Sequence, residues 1–239
     1  MHQSYIQPLF DSFKKHSDPA NATGMRAYMR DQFDYCGIKT PLRKVLFKEF
    51  IKVNGLPLLK DLPQIIDELW ELPEREFQYC AIELLLHFKK QFTPEHLPLI
   101  ENMITRKSWW DTVDGIAPNG IGTLFKNYPE LIAPKTDEWI AGGNMWLQRS
   151  AIIFQLKYRD QTDLDLLFKT ILHFKNSKEF FIQKAMGWAL REYAWRHPGI
   201  IQGFAEKNEL PALTKREALK NIKKNVRASN FTVIEFPTF

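Results

Sequence analysis

The chain has 239 residues, 44% of them hydrophobic and 13% aromatic, including 7 Trp and 18 Phe, which is enough apolar material for a large buried core. A net charge of +5 and a pI of about 9.1 suit a polyanionic partner without selecting one. Cys36 and Cys80 form no CxxC pair, the first residues lack a basic-then-apolar leader, and no apolar run is long enough for a membrane span. A soluble, cytoplasmic, monomeric protein is expected.

Helical signals then follow one another along the chain. Thr40-Pro41 reads as an N-cap followed by proline at the first helical position, and Asn54-Gly55 as a stop. LPQIIDELWEL and REFQYCAIELLLHFKK place apolar residues at spacings of three and four. Thr93-Pro94 repeats the start signal, and Ser108 to Asp111 has the spacing of a capping box. After the Gly142-Gly143 stop, WLQRSAIIFQLKY and FFIQKAMGWALREYA are again periodic, the second ending before Pro198. Thr214 to Glu217 has the residues of a capping box. Strand signals are nearly absent. The expected organisation is one all-α domain over residues 1–227 and a tail, 228–239, that lacks periodicity.

An internal repeat refines this picture. FQYCAI, LQRSAI and IQKAMG share an apolar-Gln start, and Gln78, Gln148 and Gln183 lie 70 and then 35 residues apart. The skipped period falls at Val113. A recurrence near 35 residues predicts a HEAT- or TPR-like solenoid, an α-α superhelix with a concave basic face, although any helical bundle yields short matches by chance. Tyr79, Asp114, Arg149 and Lys184 become equivalent positions on successive second helices. Asp114 and Arg149 should then be neighbours, with Trp110 one turn before Asp114 and Trp188 one turn after Lys184.

No HExxH, GxSxG, GxxxxGK[ST] or GxGxxG sequence occurs, and the six histidines are scattered, so no metal or cofactor is expected. What remains is a carboxylate flanked by indoles in a basic protein. An N3- or N7-alkylated purine is already cationic and leaves without a general acid. The positive charge that grows on the sugar is what a fixed carboxylate can stabilise. Trp faces favour a charged base by roughly 0.5–2 kcal/mol each. Plainer readings stand beside these. Asp114 alone is equally a surface carboxylate, or half of a helix-to-helix ion pair with Arg149. Asp111 reads as the capping partner of Ser108, Trp70, Trp139 and Trp146 read as core, and Arg106-Lys107 and Lys215-Arg216 read as solvated faces. Lys39, Thr40, Arg43 and Lys44 form the basic cluster best placed for phosphate, because a helix N-terminus adds backbone N–H donors.

The segments MRAYMRDQF, GIKTPLRK, LPEREFQYCA, KSWWDTVD, WLQRSAI, FQLKY, SKEFFIQKAMGWALREYA and LTKREALKNIKKN resemble the AlkD family of alkylpurine DNA glycosylases, which are HEAT-like solenoids. The resemblance runs from about residue 25 to 225. It implies a monofunctional glycosylase of base excision repair that releases 3-methyladenine and 7-methylguanine from duplex DNA without metal or cofactor. It makes Asp114 the catalytic carboxylate, Trp110 and Trp188 the aromatic walls, and Arg149 and Tyr28 DNA contacts. Lys39, Thr40, Lys44 and Arg191 complete the expected DNA-binding set, with Lys39 standing where a neutral polar residue is expected. The competing expectation is a helical-repeat module without catalysis, binding DNA or serving as a protein scaffold.

Overall fold

A computed structural model describes residues 4–222, so the tail expected at 228–239 lies outside the described residues. The fold is all-α, a helical-repeat architecture. Among the described residues the only β feature is an isolated bridge between Asp34 and Glu74. The described residues divide into two packing units, with the boundary between Leu99 and Ile100, inside the span read from sequence as one domain.

The N-terminal unit contains α1 (Gln7–Lys15), α2 (Pro19–Tyr28), α3 (Thr40–Asn54), α4 (Leu62–Glu71) and α5 (Arg75–His87). Leu9 and Phe13 of α1 are buried, and Phe10 and Phe13 stack on Phe77 of α5. The GIKTP segment is tied to the same helix. Glu76, fully buried, accepts the backbone N–H groups of Cys36, Gly37 and Ile38 at 3.1, 2.9 and 3.0 Å. Burial pushes the Glu76 carboxyl up, and these three donors pull it part of the way back. Gly37 is required here: its φ is +86°, and a Cβ would stand 2.0 Å from the Asp18 carbonyl oxygen. Helix α3 is entered one residue earlier than expected, with Lys39 at the N-cap, and it stops at Gly55 with φ +75°.

Helix α6 (Leu97–Thr105) crosses the boundary between the units in sequence. The C-terminal unit then holds α7 (Trp110–Ile116), α8 (Gly122–Asn127), α9 (Ile132–Ala141), α10 (Met145–Ile153), α11 (Leu164–His173), α12 (Phe180–Ala194), α13 (Pro198–Lys207) and α14 (Ala212–Ala218). Its core runs through Ile152 and Ile153 of α10, Leu167 and Ile171 of α11, Ile182, Met186 and Leu190 of α12, and Ile201 of α13. Trp139 is buried in α9, where its indole N–H donates to Glu101 at 2.7 Å. Trp70 is likewise core in the N-terminal unit.

The repeated glutamine has a structural cause. Gln78 Nε2 donates to the Leu72 carbonyl at 2.8 Å, just past the end of α4. Gln148 Nε2 donates to Ile140 at 3.0 Å near the end of α9, and Gln183 Nε2 to Ser177 at 2.9 Å in the segment after α11. In each pair the second helix supplies a side-chain donor for carbonyls at or beyond the end of the first, which the helix leaves unsatisfied. The apolar residue before each glutamine packs inward, buried or half-buried.

Two expected capping boxes do not form. Helix α7 is entered at Trp109 without a side-chain cap, and Ser108 Oγ donates instead to the Ile104 carbonyl at 2.7 Å. Thr214 lies inside α14, and its hydroxyl donates to the Gln183 carbonyl at 3.0 Å. In both cases the hydroxyl serves a carbonyl of another helix rather than its own helix start.

Candidate active site

Helix α7 is short and its end is unusual. Pro118 has no N–H to return to the Asp114 carbonyl, and the chain widens into a π-helical turn over Ala117–Ile121. The Gly122 N–H then bonds back to the Ala117 carbonyl. Gly122 also allows a close crossing, because a Cβ there would lie 2.5 Å from the Phe154 carbonyl oxygen. This turn follows directly on the segment that carries Trp110 and Asp114.

Asp114 faces Arg149 of α10. Nε donates to Oδ1 and Nη2 to Oδ2, each at 2.8 Å, in a side-on bidentate pair. Nη1 donates to the Phe181 carbonyl at the start of α12, so one guanidinium ties α7, α10 and α12 together. Arg149 is 5% exposed and Asp114 20%. Burial raises the Asp114 carboxyl above the usual aspartate range, and Arg149 offsets part of that rise. The structure thus places Arg149 beneath the carboxylate as its partner, with little surface to offer a phosphate.

Around this pair lies an open cleft of about 280 Å³, lined by Trp110, Asp114 and Arg149 together with Phe180, Lys184 and Trp188 of α12, and also by Phe181, Arg191 and Glu217. Trp110 and Trp188 are half-buried, each presenting part of its indole to the cleft. Below them Trp109, Trp146 and Phe181 form an aromatic triad with ring centroids 5.1–5.9 Å apart, which fixes the starts of α7, α10 and α12. Trp146 therefore belongs to the scaffold of the cleft and is only half-buried.

Phe180 and Glu217 also line the cleft, and neither was expected there. Phe180 is 54% exposed, and the FF pair in SKEFFIQ is its only signal. Glu217, expected as a capping residue, accepts from Lys184 Nζ at 3.0 Å and from Arg191 Nη1. Burial pushes its carboxyl up, but the two cations outweigh this and hold it below the usual glutamate range. Arg191 is thus placed at the cleft, paired to Glu217.

Tyr28, Lys39, Thr40 and Lys44 belong to the N-terminal unit and are exposed there. Arg43, expected in the same phosphate-facing cluster, is instead buried: Nη2 donates to Glu83 at 2.7 Å and the side chain is 6% exposed. It lies one position from Thr40-Pro41-Leu42 on the inward side of α3, where Leu46 and Phe47 are also buried. No group of three His, Cys, Asp or Glu side chains among the described residues is arranged to hold a metal ion. No helix among them is long and apolar enough to cross a membrane.

The model of the family described as DNA alkylation repair enzyme matches residues 9–222. The chain belongs to that family. A solved structure described as a predicted DNA alkylation repair enzyme from Enterococcus faecalis is 32% identical, with 87% of this chain and 97% of that one covered and a TM-score of 0.80. Among curated proteins no match is found. Membership of the DNA alkylation repair enzyme family assigns the chain a role in repairing alkylated DNA, and the cleft in its C-terminal unit is the candidate place for that chemistry.

Proposed function

We propose that this protein is a monofunctional DNA glycosylase that hydrolyses the N-glycosidic bond of cationic alkylated purines, 3-methyladenine and 7-methylguanine, in duplex DNA, with no metal or cofactor. The observation that carries the proposal is a carboxylate, Asp114, fixed by a bidentate Arg149 in a cleft walled by two indoles.

In this reading the C1′–N bond breaks with its electron pair leaving on the base, whose positive charge is thereby neutralised. The deoxyribose takes up cationic character at C1′ and O4′, and Asp114 stabilises it. A carboxylate has about four acceptor sites. Arg149 occupies one on each oxygen, which leaves capacity to orient the water that adds to C1′ and passes its proton to solvent. Because Arg149 fixes the carboxylate beforehand, little reorganisation is needed when charge develops. Trp110 and Trp188 pack against the nucleotide and favour a cationic base over a neutral one. Arg191 and the exposed residues Tyr28, Lys39, Thr40 and Lys44 hold the DNA backbone.

A neutral leaving group would need a carboxylic acid to protonate it as it departs. The cleft's second carboxylate, Glu217, is held ionised by Lys184 and Arg191. Incubation with methylated duplex, followed by chromatography of the free bases, tests the proposal. Release of 3-methyladenine and 7-methylguanine, with uracil and hypoxanthine retained in matched duplexes, is expected. Duplex binding without any base release would leave a DNA-binding module in its place.

A further inference from the structure

Lys184 and Arg191 stand seven residues apart on α12, about 10 Å along the helix axis. Two extended cationic side chains at that separation repel one another and sample many rotamers. Here both heads converge on a single carboxylate, with Lys184 Nζ at Glu217 Oε1 and Arg191 Nη1 at Oε2. Glu217 is 13% exposed, whereas Lys184 is 38% and Arg191 24% exposed, so the anchor is sheltered and the cations face outward.

The anchor reaches them because α14 packs closely on α12. A Cβ at Gly187 would meet Glu217 Cβ at 2.6 Å and the Thr214 carbonyl oxygen at 2.9 Å, and Thr214 also donates to the Gln183 carbonyl. Trp188 lies one turn beyond Lys184 and just under one turn before Arg191, on the same face of the helix. The paired cations therefore flank one indole wall of the cleft.

Building on the glycosylase reading, we infer that Glu217 is a positioning residue that locks Lys184 and Arg191 into a two-cation seat for the DNA phosphate beside the damaged nucleotide. Lysine has three donors and arginine five. One from each is directed to Glu217, and the remainder can meet the two non-bridging oxygens of a phosphodiester. Across the charged residues lining the cleft, three cations face two carboxylates, which leaves one positive charge to meet one phosphate. Such a seat holds the strand in register, so that the sugar carrying the lesion lies over Asp114.

The test uses the full chain and two readouts. On undamaged duplex, Lys184→Met and Arg191→Met are each expected to lower the slope of log affinity against log salt by about 1. On a duplex carrying 7-methylguanine, Glu217→Gln is expected to slow base release about tenfold in single turnover at saturating protein, an effect on chemistry and not on occupancy. Glu217→Asp, which keeps the charge one methylene shorter, should recover part of the rate, and it carries the test if Glu217→Gln does not fold. A purely structural ion pair between α12 and α14 would lower the melting temperature and leave the release rate of the folded variant unchanged. Release at the wild-type rate in folded Glu217→Gln, or in Glu217→Asp where Glu217→Gln does not fold, or unchanged salt slopes in both cation variants, would overturn the inference. If the wild-type protein releases no base, the glycosylase reading fails, while the slopes on undamaged duplex still decide whether Lys184 and Arg191 seat a phosphate.

Discussion

Replacing Arg149 by Met removes the partner of Asp114 while keeping a long, unbranched side chain in its place. Arg149 is 5% exposed and supplies two hydrogen bonds to the carboxylate and one to the Phe181 carbonyl. Breaking a buried pair by deleting one member costs about 3–5 kcal/mol, and the 20% exposure of Asp114 points to the lower end, near 3 kcal/mol. In a domain of this size that is a fall in melting temperature of about 6–12 °C. The pH dependence has a definite sign. Burial already places the Asp114 carboxyl above its ordinary value, and Arg149 is the group that lowers it. Without Arg149 the carboxyl rises further, so the acid limb of base release moves to higher pH. The stability deficit, largest where Asp114 is charged, shrinks as pH falls through the raised value and the carboxyl is protonated. Thermal melts and single-turnover rates across a pH series measure both effects. Arg149→Lys should restore the charge without the bidentate geometry and fall in between. An Arg149→Met protein with unaltered melting temperature and an unmoved acid limb would refute the coupling of the two residues.

Other substitutions probe the frame around the site. Gly187→Ala forces a Cβ against Glu217 and the Thr214 backbone and should cost about 1–3 kcal/mol in denaturant melts, with α14 displaced from α12. Glu76→Ala strands three buried N–H groups of the GIKTP segment and should cost about 3 kcal/mol by the same measurement. Trp188→Ala, which removes one cleft wall without touching Asp114, should lower the rate for 7-methylguanine by about fivefold or more in single turnover.

Much of the frame was legible because it rests on local rules. The stops at Gly55 and Gly143 follow from backbone conformations with φ of +75° at both residues. The 35-residue spacing was visible because each of the three recurring glutamines satisfies a carbonyl at or beyond the end of a preceding helix, although Val113 breaks the series. The same spacing put Asp114 and Arg149 side by side. It could not show that Arg149 lies beneath the carboxylate, because equivalence in a repeat sets adjacency and not depth.

The misreadings share a cause. Ser108 and Thr214 carry the chemistry of caps, but carbonyls of other helices take their hydroxyls. Arg43 sits in a basic run whose other members are exposed, yet its phase on α3 turns it toward Glu83. Glu217 was hidden for a different reason: no periodicity links α14 to α7, and only the close approach of α14 to Gly187 brings it to the cleft.

The most direct measurement compares Asp114→Asn with the wild-type protein on one duplex containing 7-methylguanine, scoring affinity and free base separately. Negative charge at this position is held to stabilise the departing sugar, so the variant should bind the duplex at near wild-type affinity while its single-turnover release falls by about 10²–10³. Release at the wild-type rate from a folded Asp114→Asn protein would contradict the account.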